Sequence, residues 1–242
     1  MLLEIYNTIL IQPLLNLLIF FYNILWQDMG LAIIVVTILV RLVLYPSFKH
    51  QLESQKKLSE LQPKLQEVKE KYKNDREQQS RALMELYRKE KVNPFGSCLP
   101  MIVQLIILIA LYQVFKDGLN GDVLQRLYPF VSSPGEIHTV SFGFLDLSER
   151  SVLLAVITGA FQFVQSRMMM KFHPRPTSKQ GGTAGDITNL LSKQFVYVFP
   201  LITVVVGMSF PAGLVLYWLV TTLFAIGQQY LIMRGKQKPA VN

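Results

Sequence analysis

Four long apolar runs dominate the chain: Gly30–Tyr45, Leu99–Phe115, Ser151–Ser166 and Phe195–Met233. A helix needs about 20 apolar residues to cross the ~30 Å of hydrocarbon in a bilayer. The last run is near twice that length and carries Phe210-Pro211-Ala212-Gly213 at its middle. Proline removes a helical donor and glycine accepts a tight turn, so this tetrad divides the run into two antiparallel spans. The expected fold class is an all-α membrane protein with five transmembrane helices, at 28–46, 99–115, 151–170, 194–210 and 211–233. Composition agrees: only 17% of the residues are charged, against about a quarter in soluble domains.

Residues 1–27 are apolar too, but Asn7, Thr8, Gln12, Asn16, Asn23 and Gln27 recur at helical spacing. That stripe predicts an amphipathic helix lying in the membrane interface, interrupted at Pro13. An uncleaved signal peptide fits less well, because Glu4 stands where a basic start is usual and no small-x-small cleavage site follows.

Lysine and arginine set the orientation. None precedes the first span, 12 lie between spans one and two, 3 in the loop at 116–150, 5 in the loop at 171–193 together with Arg167, none between spans four and five, and 3 in the tail at 234–242. Rich and poor segments alternate, which places the N-terminus outside and the C-terminus and the 47–98 segment in the cytoplasm. The expected location is a cytoplasmic (plasma) membrane, which the chain crosses several times.

The 47–98 segment reads as a helical hairpin. Leu58, Leu61, Leu65, Val68 and Tyr72 are spaced 3, 4, 3, 4, a heptad stripe. Asn74-Asp75 breaks it, and a second helical stretch carries Leu83, Leu86 and Tyr87 on one side. Pro63 marks a first turn or a kink. Such a hairpin serves either as a solvated spacer or as a platform for a partner or an incoming chain.

Arg41 is the only charged residue inside the four apolar runs. An arginine near mid-span costs about 2.5–3.5 kcal/mol on insertion scales. It stands five residues from Pro46, so snorkelling to the headgroups is one reading. The other is a wet cavity between helices. None of the apolar runs supplies a carboxylate, and Thr37, Gln104, Gln162, Gln165, Trp218, Thr221 and Thr222 place uncharged polar groups at comparable depth. Such groups avoid lipid unless they bond one another or water. The complement of the unpaired charge would then be an acidic group brought from outside. Met168 and Met169, with Met170, end span three with a flexible apolar surface suited to variable apolar partners.

Other classes are poorly served. Cys98 is the only cysteine, and His50, His138 and His173 are scattered, which leaves no metal-ligand spacing. No phosphate-binding glycine motif appears. No enzyme chemistry, cofactor or metal is expected, and the net charge of +8 sits on too apolar a chain to indicate direct nucleic-acid binding.

Four segments stand out in order: Arg41-Leu-Val-Leu-Tyr-Pro46, Leu61-Gln62-Pro63, Asn93-Pro94-x-Gly96-x-Cys98-Leu99-Pro100-x-x-x-Gln104, and Phe210-Pro211-Ala212-Gly213-Leu214-x-Leu216-Tyr217-Trp218 with Gln228-Gln229. Together they resemble the YidC/Oxa/Alb membrane protein insertases. The resemblance is to bacterial members without a large outer domain. Ser97, Leu105 and Thr221-Thr222 depart from the usual pattern.

The resemblance implies a five-helix core around a hydrophilic, positively charged groove, open to cytoplasm and lipid. Arg41 would charge that groove, with Thr37, Gln104, Gln162, Gln165, Trp218, Thr221 and Thr222 lining it. A hydrophobic substrate segment would slide along spans three and five, past Met168, Met169, Leu214 and Tyr217. The implied activity is insertion and chaperoning of small nascent membrane proteins in the lipid bilayer. The Sec translocon, ribosome and targeting factors are candidate further partners. The rival reading is a small-anion channel or transporter that uses Arg41 as its binding charge.

Overall fold

The computed structural model describes residues 2–92, 99–118, 127–170 and 196–235, and it is mostly helical. The N-terminal segment comprises α1 (Leu2–Tyr6), a π-turn (Asn7–Ile11) and α2 (Gln12–Ile24). Pro13 does not interrupt it. The Gln12 N–H bonds Asn7 O in the wider π pattern, and Pro13 falls in the first turn of α2, so the π-turn absorbs the proline's missing donor. Glu4–Ile24 is itself long and apolar enough to cross a membrane. Its polar stripe is not a uniformly wet face. Asn16 is 3% exposed, its Nδ2 donates to Gln12 O at 2.8 Å, and its Oδ1 accepts from the Tyr128 N–H at 2.6 Å.

Helix α3 (Met29–Val43) starts where Asp28 caps it, accepting from the Leu31 N–H at 3.0 Å. The chain bends by 61° after Val43 into α4 (Tyr45–Glu60), with Pro46 in the first turn of the new helix. That bend shortens the first expected span to a 15-residue helix, about 22 Å long at 1.5 Å per residue.

Pro63 sits in the first turn of α5 (Gln62–Lys71), and Asp75 caps α6 (Arg76–Lys89) by accepting from the Glu77 and Gln78 N–H groups. Helices α5 and α6 pack on each other through a small apolar cluster. Leu61 and Leu65 are buried there with Val92, and Leu58, Leu83, Leu86 and Tyr87 close around them. Val68 and Tyr72 are half-buried and outside that cluster, because the chain turns away at Asn74 before the stripe completes another turn. Val92, which falls beyond the periodic stretch, takes the vacant place.

Helix α7 (Leu99–Gly118) carries the shorter apolar segment Gln104–Val114. Then come an antiparallel two-stranded hairpin, β1 (Val140–Ser141) and β2 (Leu145–Asp146), α8 (Val152–Met170), α9 (Val196–Gly207) and α10 (Ala212–Gly235). The chain breaks between α9 and α10 at the expected Pro/Gly tetrad. The β-hairpin had no expectation behind it.

Among the described residues, three single helices are long and apolar enough to cross a membrane: Glu4–Ile24, Val152–Met169 and Ala212–Ile232. The bent pair Met29–Val43 and Tyr45–Leu58 makes a fourth if it counts as one span. The core lies where α2, α3, α7 and α10 meet and includes Leu15, Leu18, Ala32, Ile33, Ala110 and Leu214. Large apolar side chains also point outward on α3, α8 and α9, among them Val43, Leu153 and Leu201. That is the surface of a protein solvated by lipid.

Candidate functional site

Arg41 stands in the last turn of α3 and is 6% exposed. Its Nη2 donates to Gln104 Oε1 on α7 at 2.9 Å, and Gln104 Nε2 donates in turn to the Tyr217 hydroxyl on α10 at 2.8 Å. The amide thus turns its acceptor to the cation and its donor to the phenol. Three helices are joined by one side-chain chain of bonds.

The bend into α4 brings Phe48 back over the guanidinium, with the ring centroid 4.3 Å from Cζ. A cation over an aromatic face gains about 0.5–2 kcal/mol depending on desolvation. Thr37, Val40, Leu44, Ile107 and Thr221 complete the wall of the recess, which has room for about one water. The Thr37 hydroxyl is spent on Ile33 O at 2.6 Å, so it stabilises its own helix.

Arg41 Nη1 is buried and has no hydrogen-bond partner, and among the described residues no carboxylate pairs with this arginine. A buried cation is costly unless an acceptor or an anion compensates it. The network satisfies one nitrogen of the fork and leaves the other as an unmet donor.

The remaining expected groove residues of α10 divide between two of its faces, and Thr221 shares its face with Tyr217, which was expected on the slide. Tyr217 and Thr221, one turn apart, face Arg41. Thr222, one residue on and so rotated by about 100°, belongs to the seam with α8, and Trp218 stands one turn before it on the same side of the helix. There the Thr222 hydroxyl lies 3.2 Å from Gln162 Oε1 and 2.9 Å from Trp218 O. Thr158, one turn before Gln162, bonds Leu154 O at 2.7 Å and is fully buried. Gln165 and Trp218 are half-buried.

Two residues of the expected slide do not face outward. Leu214 is 1% and Tyr217 3% exposed, because α10 is enclosed between α3 and α8. Met168 and Met169 are half-buried near the end of α8, where Arg167 lies over the Phe163 ring at 5.6 Å. Asn93, Pro94, Gly96 and Cys98 of the resembling motifs fall outside the described residues.

Sequence reasoning missed Phe48 and the bonding role of Tyr217. The helix bend at Leu44–Tyr45 creates the first, and Pro46 was its available signal. The second was hidden by the aromatic's apolar body. A tyrosine buried in hydrocarbon needs a partner for its hydroxyl, and Gln104 was the nearest polar candidate.

The profile of the 60Kd inner membrane protein family matches residues 20–239. The chain is 38% identical over 234 residues to a protein of Histophilus somni strain 2336 and 40% identical over 234 residues to one of Pasteurella multocida. Both are named membrane protein insertase YidC. The alignments cover 96% of this chain but 38% of each relative, so the chain spans well under half the length of these proteins. A relative of the same name from Fusobacterium nucleatum is 36% identical over 207 residues, covering 86% of this chain and 87% of its own length. A network of Arg41, Gln104 and Tyr217 joining three apolar helices is thus set in a chain that belongs to the YidC/Oxa family of membrane proteins.

Proposed function

We propose that the chain is a membrane protein insertase and chaperone for small membrane proteins with short translocated tails. The observation that carries this reading is the buried Arg41 with Nη1 unmet, held by Gln104 between α3, α7 and α10. Such a cation offers a carboxylate on an incoming tail the partner that the protein itself withholds. The Gln162–Thr222 seam extends the polar lining along the other face of α10, with Gln165 and Trp218 beside it. Met168 and Met169 offer the apolar surface over which the substrate's own span enters the lipid.

The five-span topology has the N-terminus outside and the α5–α6 hairpin in the cytoplasm as a platform for incoming chains. The N-terminal helix lies along the outer interface. The driving force is burial of the substrate's apolar span, at about 25 cal/mol per Å², and no nucleotide is consumed. The membrane potential adds about 2.3 kcal/mol per charge per 100 mV for acidic tails. Nascent membrane proteins are the substrates, and the Sec translocon, ribosome and targeting factors are further partners.

Purified protein in sealed liposomes tests the reading. Protease protection of the short tail of a single-span substrate, without chloride flux across the same vesicles, is the expected result. Anion flux without insertion would establish a channel in its place.

A further inference from the structure

Five helix ends meet at the end of the bundle away from Arg41. Helices α2 and α9 finish there, and α3, α8 and α10 begin there. The Ala212 N–H that opens α10 bonds Glu149 O at 2.7 Å, just before α8.

Three loops at this level are tied to one another. Asp28 caps α3 and also accepts from the Ser141 hydroxyl and from the Phe142 N–H at 2.9 Å, while the Gly30 N–H donates to Ser141 Oγ at 2.6 Å. Asn23 Nδ2, at the end of α2, donates to Ser132 O at 2.7 Å. The β-hairpin, the 127–132 stretch and the α2–α3 turn therefore form one fixed surface.

That surface carries large apolar side chains in the open. Trp26 is 86%, Phe130 76% and Phe144 82% exposed, and Phe142 is 39% exposed. The backbone is strained to hold two of them: Trp26 has φ 52° and Phe142 φ 55°. A bulky residue in the left-handed region costs on the order of 1–3 kcal/mol and persists only where the surroundings enforce it. Each aromatic side chain has some 150–250 Å² to bury, and water offers nothing for it.

We propose that Trp26, Phe130, Phe142 and Phe144 form an aromatic foot seated in the headgroup–acyl boundary of the bilayer, so that its partner is the lipid surface itself. Three observations select lipid. The residues stand level with the ends of apolar helices, where a bilayer's hydrocarbon must end. Trp26 follows directly on the exposed apolar residues of α2, Leu17, Phe20 and Ile24. Trp26 is of the type that favours the membrane–water boundary, with an indole N–H for the headgroups and a ring for the chains, and the three phenylalanines add apolar rings of the kind that interfacial segments bury. Clamping to Asp28 lets the foot fix the depth of α3, whose last turn carries Arg41 about 18 Å further along the helix axis.

Trp26 and Trp218 are the only tryptophans in the chain, so Trp218→Phe leaves Trp26 as the sole reporter. The protein is reconstituted in phosphatidylcholine vesicles whose acyl chains carry bromines either near the headgroup or near the chain ends. The expected result is a loss of Trp26 emission that is greater with the shallow bromines, with little loss to aqueous iodide. A second reporter is an environment-sensitive dye on Phe144→Cys in a Cys98→Ser background, which should show the same depth order. Quenching by iodide and not by brominated lipid would put the foot in water and overturn the proposal. Protection from both quenchers would mean that protein covers it, and would overturn the proposal equally.

Discussion

Arg41 is held by one amide and one ring, and each contact makes a separate demand. Replacing it with alanine removes the field and leaves Gln104 Oε1 without its donor. Replacing it with lysine keeps a point charge but loses the planar fork and the ring stacking. If the arginine recognises acidic tails, Arg41→Ala will abolish insertion of a substrate with an acidic tail and spare the same substrate with the tail neutralised. Arg41→Lys will retain much of the first activity. Equal impairment of both substrates by Arg41→Ala would assign the arginine to shaping or wetting the recess. No impairment of either would return it to snorkelling. Thr37 offers an independent check, since it is 3% exposed and lines the same recess one turn away. A glutamate there is an internal counter-ion at helical spacing. Thr37→Glu should reproduce the alanine defect on the acidic tail, and insertion of the paired substrates is the measurement.

Helices α8 and α9 meet through a glycine. A Cβ built on Gly159 would lie 2.2 Å from Val204 Cγ2 and 3.1 Å from Pro200 O. Small residues at such crossings let membrane helices approach closely, and overpacking costs about 1–3 kcal/mol. Gly159→Ala should lower the melting temperature in detergent, and adding Val204→Ala should recover part of the loss, since it removes the nearer clash. The α5–α6 pair is held differently. Leu65 is 4% exposed in its small cluster, and truncating a buried leucine costs about 2–5 kcal/mol, less where the site collapses. The Lys64–Glu90 pair nearby is close, at 2.6 Å, but exposed. Its hydrogen bond and charge hold the Glu90 carboxyl below its usual range, yet surface pairs contribute little to stability. Leu65→Ala should therefore expose the Asn74 turn to limited proteolysis, and Lys64→Ala should not. The stripe behind this pair was legible from its 3, 4 spacing, and Asn74-Asp75 as the break before the second helix, though not the cap that Asp75 makes there. Val92 was not, because a single valine beyond the last periodic residue carries no pattern. The β-hairpin was hidden for a related reason: two-residue strands have no period, and what fixes them is the long-range bond from Ser141 to Asp28.

For the molecule as a whole, the apolar runs and the Pro/Gly tetrad were readable because the bilayer imposes length and saturation on any helix that crosses it. The sequence could not separate a helix that crosses from one that lies in the interface when both are equally apolar. Glu4–Ile24 shows the difficulty, since it has the length of a span and buries Leu15, Leu18 and Tyr22 against its neighbours. Likewise, the α10 lining was expected in a single groove, and only the 100° step between Thr221 and Thr222 divides it between two seams. Charge counting supplies a decisive test of the arrangement. The segment at 47–98 holds 12 lysines and arginines and that at 116–150 holds 3, so the two should lie on opposite sides. Asn74 and Ser133 are both exposed, in the α5–α6 turn and in the loop before β1. With Cys98 replaced by serine, a cysteine at Asn74 should react with a membrane-impermeant maleimide only from the cytoplasmic side, and one at Ser133 only from outside. A third cysteine at Glu4 fixes the disputed helix. If that helix lies in the outer interface, labelling comes from outside. If Glu4–Ile24 crosses, its start emerges in the cytoplasm, because its far end is tied through Asn23 to Ser132 in the same loop as Ser133. Labelling of Asn74 and Ser133 from one side would overturn the five-span arrangement, and with it the sidedness on which the insertion mechanism depends.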